Sequence, residues 1–464
     1  MTHPFSRHLL SRRLLLLVAA ATALLGACAT GPSTGTLPPI VFVHGNGDSA
    51  ALWTTTLWRF ESNGWPRERL VAIDVPYPQS REDDAKPQEG RSSTAENMAF
   101  LSAEVDRVLK ATGASQVVLM ANSRGGNAVR NYIANGGGAA KVSHAILGGT
   151  PNHGVWAHNN FLPNSEFNGV GPFLAALNNA PAMAGNEVTA GPKWMTIRSD
   201  NNDKFAQPDG VWIGQPGKPT NVTSDGPALK GAENVVIAGI DHRETAFGAK
   251  AFEQTFRFIT GQLPASREVA AEARVVLDGK VSGYGVNNER GTAPSNLPLA
   301  GATVEVYATN AAAGERLGTA LHRKTIGADG RWGPFAADAQ ARYEFVIAAP
   351  GYATTHIYRS PFPRSSNIVG LRAERIADAD KSAASIVTLT RPRGYFGLPR
   401  DQISLDGQSP APGIPPGTAG VSVSKVKPAD AASRAVIGEF NGERIVGHTW
   451  PAANNELSVL ELTY

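Results

Sequence analysis

The stretch from Gln116 to Ile133 constrains the fold more than any other. Gln116-Val117-Val118-Leu119-Met120 reads as a short, fully buried strand. Ala121-Asn122-Ser123-Arg124-Gly125-Gly126 then turns sharply, and Asn127-Ala128-Val129-Arg130-Asn131-Tyr132-Ile133 reads as a helix. Two positions either side of Ser123 stand Ala121 and Gly125. Larger side chains there would strike the adjoining strand and helix. The pattern small-x-Ser-x-Gly therefore presents one hydroxyl on a tight, strained bend at the end of a buried strand.

The surrounding sequence supplies the rest of such a sheet. Ile40-Val41-Phe42-Val43 is a buried strand followed by the loop His44-Gly45-Asn46-Gly47. Leu70 to Val75 is a second strand, stopped by Pro76. Ser93 opens a helix with Glu96 three residues on, a capping box, and Met98, Leu101, Val105, Val108 and Leu109 recur on one face until Gly113. Val142–Leu147, Trp194–Ile197 and Asn234–Ala238 are further strands, and Phe247–Ile259 is a closing helix. Strands alternating with helices predict an α/β domain with a mostly parallel sheet covered on both faces. After Pro264 the pattern changes to β-rich runs such as Ala302–Tyr307, Tyr343–Ile347 and Ser385–Thr390, separated by Gly, Pro, Asn and Asp. That predicts an all-β sandwich or barrel. The expected organisation is an α/β domain over 39–265, a β domain over 273–375, and a further β region over 376–464 that completes or adjoins it.

Residues 1–27 read as an export leader rather than as fold. Arg7, Arg12 and Arg13 precede the apolar run Leu14–Leu25, which is too short for a mature membrane-spanning helix. The run ends in Leu25-Gly26-Ala27-Cys28, a lipobox in which the Cys28 thiol takes a diacylglycerol. Residues 28–38 then form a flexible tether. Cys28 is the only cysteine, so no intrachain disulfide is possible. These features predict an exported bacterial lipoprotein held on a membrane by its lipid, with Ala29 after the cysteine favouring the outer membrane or cell surface. Ser11-Arg12-Arg13-Leu14-Leu15 resembles a twin-arginine signal, but paired arginines are common in leaders of the general export route, which remains the favoured reading. A net charge of +3 gives no pull toward nucleic acid.

Strand, small-x-Ser-x-Gly and helix together are the nucleophile elbow of an α/β-hydrolase, with triad partners following in the order Ser, acid, His. A serine hydroxyl needs a base, and His242, between the last strand and last helix, stands where this fold places it. Asp203 and Asp200 both follow the strand ending at Ile197. Asp203, with Pro208 shortly after it, fits the acid better, and Asp200 is the alternative. The backbone N–H groups of Arg124 and Asn46 are the candidate oxyanion donors. Asn122, His153 and Asp200 are candidate pocket residues, and Arg124 is expected to put a cation beside the pocket. His153 precedes any plausible acid, so it reads as substrate-facing or structural. Val155 to Pro192 is long and rich in Asn, Gly and Pro, either a lid or pocket wall or a passive insertion. No metal site or cofactor is expected, because the histidines lack ligand spacing.

On these motifs, residues 39–263 resemble the class 2 bacterial lipases, which share the His-Gly loop and an Ala-x-Ser-x-Gly elbow. Tyr343-Glu344-Phe345 and His356-Ile357-Tyr358-Arg359-Ser360-Pro361-Phe362, with Asn63-Gly64 in the first half, resemble the archaeal two-domain lipases that carry a lipid-binding β-barrel. The elbow departs from that pattern: Asn122 replaces the usual His and Arg124 the usual Met. Residues 273–350 also resemble transthyretin-like or carboxypeptidase-regulatory-like sandwiches, through Leu297–Val304 and Asp329-Gly330-Arg331. The resemblance implies a serine lipase or esterase acting on an ester or lipid, with polyester as another substrate, and the Cys28 lipobox adds a membrane tether. Because the candidate triad is complete before residue 264 and the β region offers aromatic side chains such as Tyr352, Tyr358, Phe362, Tyr395 and Phe396, that region is expected to assist lipid-like substrates and to supply no catalytic group. The alternative is an inactive hydrolase-like lipoprotein that binds lipid or glycan.

Overall fold

Ile40–Val43 is buried on both faces, as four consecutive apolar residues require, and forms β1, an interior strand of the first sheet. The computed structural model describes residues 1, 37–179, 185–284, 286–288 and 291–464. The export leader, Cys28 and nearly all of the 28–38 tether therefore lie outside the described residues. β1 is followed by α1 (Thr54–Ser62), β2 (Leu70–Ile73), α2 (Thr94–Thr112), β3 (Val117–Asn122), α3 (Arg124–Asn135), β4 (Val142–Gly148), β5 (Lys193–Ser199) and β6 (Glu233–Ile237). All six strands pair in parallel in the order β2-β1-β3-β4-β5-β6. No helix among the described residues is long and apolar enough to cross a membrane.

Local sequence explains the helices. Ser93 accepts the N–H of Glu96 while Glu96 accepts that of Ser93 at 2.7 Å, so the capping box starts α2. Gly113 ends it in the left-handed region at φ 66°. Leu101, Val105 and Val108 pack on one face of the sheet with Val129 and Tyr132 of α3. The closing helix expected over 247–259 stands as α4 (Ala249–Thr260), preceded by a separate one-turn helix, Glu244–Phe247. Gly248 between them is extended and lies so close to the Glu244 carbonyl that a Cβ would sit 2.6 Å from it. On the other face of the sheet Phe42, Phe60, Trp65, Phe252 and Phe256 form a cluster with several edge-to-face contacts.

The β region is one seven-stranded sheet with smaller satellites. Its strands are β7 (Thr303–Thr309), β8 (His322–Thr325), β9 (Arg342–Ala348), β10 (Thr354–Arg359), β11 (Val387–Thr390), β12 (Val423–Val426) and β13 (Glu456–Glu461), in the order β8-β7-β9-β10-β13-β11-β12. β13 runs parallel to both β10 and β11 and joins them. Residues 376–464 thus complete the sheet begun by 273–375. Residues 38–464 form a single compact unit.

The two regions share a core. Trp58 of α1 is packed not under its own sheet but among Val275, Phe345 and Phe362 of the β region. Its indole N–H donates to the Ser365 carbonyl at 2.9 Å, and its ring meets Phe362 edge-on. Trp58→Ala should therefore destabilise the whole 38–464 unit by about 3–5 kcal/mol. Urea unfolding followed by fluorescence and circular dichroism measures this. A loss under about 1 kcal/mol would show that the two regions do not depend on this contact.

Candidate active site

The parallel strands deliver their following loops to one end of the sheet: Asn46 after β1, Ser123 after β3, Asp203 after β5 and His242 after β6. Ser123 sits at φ 54° and ψ −127°, a backbone state that few residues other than glycine adopt. Its N–H donates to the Gly148 carbonyl at 2.9 Å. Glycines are needed around it. A Cβ on Gly125 would lie 2.6 Å from the carbonyl oxygens of Val43 and His44, and one on Gly45 would lie 2.9 Å from the Ser123 Cβ.

His242 Nδ1 lies 2.8 Å from both carboxylate oxygens of Asp203, and both side chains are buried. Asp203 also accepts the N–H of Phe205 at 2.8 Å, and the Phe205 ring packs edge-on against the imidazole. With its proton held on Nδ1 by the carboxylate, His242 has Nε2 free to accept. Nε2 is buried and without a hydrogen-bond partner among the described residues. Ser123 and His242 line the same cavity.

That cavity has a volume of about 230 Å³. Trp156, Phe161, Phe167, Phe205, Trp212 and Tyr395 make most of its wall, and Asn46 and Asp48 stand at its polar side. Two larger clefts of 460 and 410 Å³ are mixed-charge and do not reach Ser123. Asn46 lies where its loop is fixed by its own Oδ1, which accepts the Ser80 N–H at 2.8 Å. Arg124 is the first residue of α3, where the opening N–H groups have no intrahelical acceptor. Both candidate oxyanion donors therefore flank Ser123 at a helix start and a glycine-bounded loop.

Three expectations need correction, and of the two readings of His153 the substrate-facing one drops out. The Arg124 guanidinium is no cation beside the pocket. It is buried against Glu166 and donates to the Pro78 carbonyl and to both Ser92 oxygens, so it ties the start of α3 to two loops. Burial pushes the Glu166 carboxyl up, and Arg124 opposes that shift. Asn122 lies behind the cavity, fully buried, and donates to the carbonyls of Gly148 and His242. His153 is not in the cavity wall. Its ring bonds the Gly226 carbonyl and Glu187. Asp200 accepts N–H groups from Gly239 and Asn201, which hold its carboxyl below the usual range, and does not reach His242.

The segment from Val155 supplies cavity wall through Trp156, Phe161, Leu162 and Phe167. Of the aromatic side chains that the β region offers, Tyr395 stands in the wall. Arg391 donates to Asp241, immediately before His242, at 2.7 Å. Sequence reasoning missed this contact and missed Lys204, next to Asp203. Its ammonium lies 4.0 Å from the Tyr395 ring centroid and donates to the Gly420 carbonyl at 2.7 Å. No spacing rule could pair residues so far apart in sequence.

Residues 38–194 match the family described as alpha/beta hydrolase fold, and residues 273–376 match the lipase C-terminal domain. Among solved structures, the mature form of lipase BlEst2 from Bacillus licheniformis is similar at 22% identity over 48% of this chain and 92% of its own, with a TM-score of 0.36. Lipase B of Aspergillus fumigatus is similar at 14% identity over 51% of this chain and 55% of its own, with a TM-score of 0.36. The naproxen esterase (carboxylesterase NP) of Bacillus subtilis is similar at 15% identity over 50% and 85%, with a TM-score of 0.29.

Burial among aromatic rings, reinforced by the Arg243 charge, pushes the Lys204 ammonium down from 10.5 to about 8. Between those values the unfolded chain holds a proton that the folded chain has lost. Stability should therefore rise as pH climbs from about 8 toward 10.5, and the penalty is fully present below 8. Lys204→Met should flatten that rise. Urea midpoints of parent and variant between pH 7 and 10.5 test this, and identical pH profiles would contradict the burial of Lys204.

Proposed function

We propose that this protein, a carboxylic ester hydrolase with an α/β-hydrolase domain and a lipase C-terminal domain, works through an acyl-enzyme on Ser123. The observation that carries the reading is the Asp203–His242 pair at 2.8 Å, with an unpartnered Nε2 in the same cavity as the strained serine. As Ser123 Oγ attacks the ester carbonyl carbon, His242 Nε2 takes its proton, and Asp203 stabilises the imidazolium that results. The carbonyl oxygen becomes an oxyanion that accepts N–H groups from Arg124 and Asn46. The intermediate collapses, and His242 gives its proton to the departing alkoxide, which leaves as the alcohol. Water then repeats the sequence at the acyl carbon and releases the acid and a free serine.

Shape and chemistry of the cavity argue for the acyl group. A cavity of 230 Å³ lies below the range of about 300–1,000 Å³ that takes a drug-sized ligand. A dry cavity of roughly 150 Å³ already holds one benzene ring. With six aromatic side chains in the wall and no charged residue except Asp48 at its polar side, the fit is a short to medium acyl chain or a single aromatic ring. The anchor is a second part of the proposal. The sequence Leu25-Gly26-Ala27-Cys28 supports a lipid on Cys28 that holds the enzyme to a bacterial membrane, with the outer membrane or cell surface as its site.

Ser123→Ala and His242→Ala should each lower kcat on nitrophenyl butyrate by about three to six orders of magnitude. Asp203→Asn should lower it by about 10⁴-fold, and Asp200→Asn by only a few-fold. Near-full activity in Ser123→Ala would end the acyl-enzyme reading, and the reverse ranking of the two aspartates would move the acid. On a nitrophenyl ester series kcat/KM should fall at least about tenfold from hexanoate to palmitate. A rise toward palmitate would contradict the small cavity. For the anchor, Cys28→Ser should shift the protein from the membrane to the soluble fraction or leave it unprocessed; unchanged detergent partitioning refutes it.

A further inference from the structure

We infer that the β region is a positioning frame for the loops that carry Asn46, Asp203 and His242, and that Arg391 is its principal positioning residue. This rests on the acyl-enzyme reading above. Each loop is gripped from the β region by directional contacts rather than by apolar packing alone. At the first, the Asn296 side-chain amide donates to the carbonyls of Asp48 at 2.8 Å and Val75 at 3.0 Å. At the second, Asp203 is held on both flanks. Asn202 Oδ1 accepts the Ala419 N–H at 2.9 Å, and Lys204 Nζ donates to the Gly420 carbonyl at 2.7 Å.

The grip on the third loop is the strongest, because it is made of buried charge. Asp241 is fully buried. Its Oδ2 accepts from Arg391 Nη1 at 2.7 Å and from the Tyr395 N–H at 2.9 Å. Its Oδ1 accepts the N–H groups of Arg243 and Glu244 at 2.8 and 2.9 Å, so the turn around His242 closes on this carboxylate. Arg391 also donates to Glu244 Oε1 at 2.7 Å, and Arg400 to Glu244 Oε2 at 2.9 Å. On the far side, Arg243 forms a bidentate pair with Asp48 and lies over the Tyr395 ring. His242 is thus pinned immediately before and immediately after itself.

Buried ion pairs contribute little net stability, since desolvation offsets attraction, and an apolar interface would join the two regions as well. What a guanidinium that bridges two carboxylates, Asp241 and Glu244, adds is direction. Misplacing a catalytic group by about 1 Å costs about 10²-fold in rate, so a rigid external brace on the histidine turn has a catalytic use. Arg391 touches no substrate and acts through Asp241.

The test is steady-state hydrolysis of nitrophenyl butyrate by full-length Arg391→Met, Arg391→Lys, Asn202→Ala and Ser123→Ala, with rates expressed per folded molecule from near-ultraviolet circular dichroism. Arg391→Met should lose about 10- to 100-fold in kcat with KM within about twofold of the parent, and Arg391→Lys should recover part of the loss. A folded Arg391→Met with parental kcat overturns the frame, as does a loss that falls on KM alone or vanishes when corrected for folded fraction. Should Arg391→Met not fold, Asn202→Ala decides: a drop of at least about threefold in kcat at constant KM supports the frame, and a parental kcat overturns it. Activity retained by Ser123→Ala sinks the acyl-enzyme reading whatever Arg391 does. An inactive Ser123→Ala beside a parental Arg391→Met sinks the frame alone.

Discussion

The backbone of Ser123 is the constraint on which the rest of the site depends. At φ 54° the residue is strained, and such a state persists only where its surroundings determine it completely. Those surroundings are visible: a fully buried strand before it, a helix starting at the next residue, Gly45 pressed against it, and Gly125 pressed against the backbone of Val43 and His44. The bend lifts the hydroxyl out of the sheet into an aromatic cavity, and in the proposed mechanism the helix start stands where negative charge develops. The buried Arg124–Glu166 pair then ties that helix start to the loops that shape the cavity.

The second organising feature is the seam between the two regions. Trp58 gives the seam its apolar part, while Asp241, Arg391, Glu244 and Arg400 give it direction. A single compact unit follows, with Tyr395 of the β region set in the cavity wall. Lys204 shows how tightly the seam closes, since its ammonium has the Tyr395 ring on one side and a carbonyl of the β region as acceptor.

Much of this was legible in the sequence, and for physical reasons. Elements set by local chemistry stand where they were read: β1 as four buried residues, the Ser93–Glu96 capping box, the end of α2 at Gly113, and the strand and helix around Ser123. The parallel sheet and the all-β region follow from periodicity and turn residues. For the site, chain order and loop position were enough to nominate Ser123, Asp203 and His242, which the fold brings to one end of the sheet. What sequence could not give is where long side chains go. Arg124 was expected to put a cation beside the pocket, yet its guanidinium turns to Glu166, 42 residues away. Arg391 and Asp241 are 150 residues apart, and nothing local marks either as a partner of the other. A Glu in an otherwise apolar and Asn-rich stretch, as Glu166 is, was the one available hint of a buried pair.

The central claim is an activated serine at position 123. Incubation of the full chain with a fluorophosphonate, followed by intact mass and peptide mapping, tests it most directly. The account predicts one phosphonyl group per molecule, on Ser123, with labelling abolished in Ser123→Ala and strongly slowed in His242→Ala. No adduct, or an adduct on another residue that persists in Ser123→Ala, would contradict it.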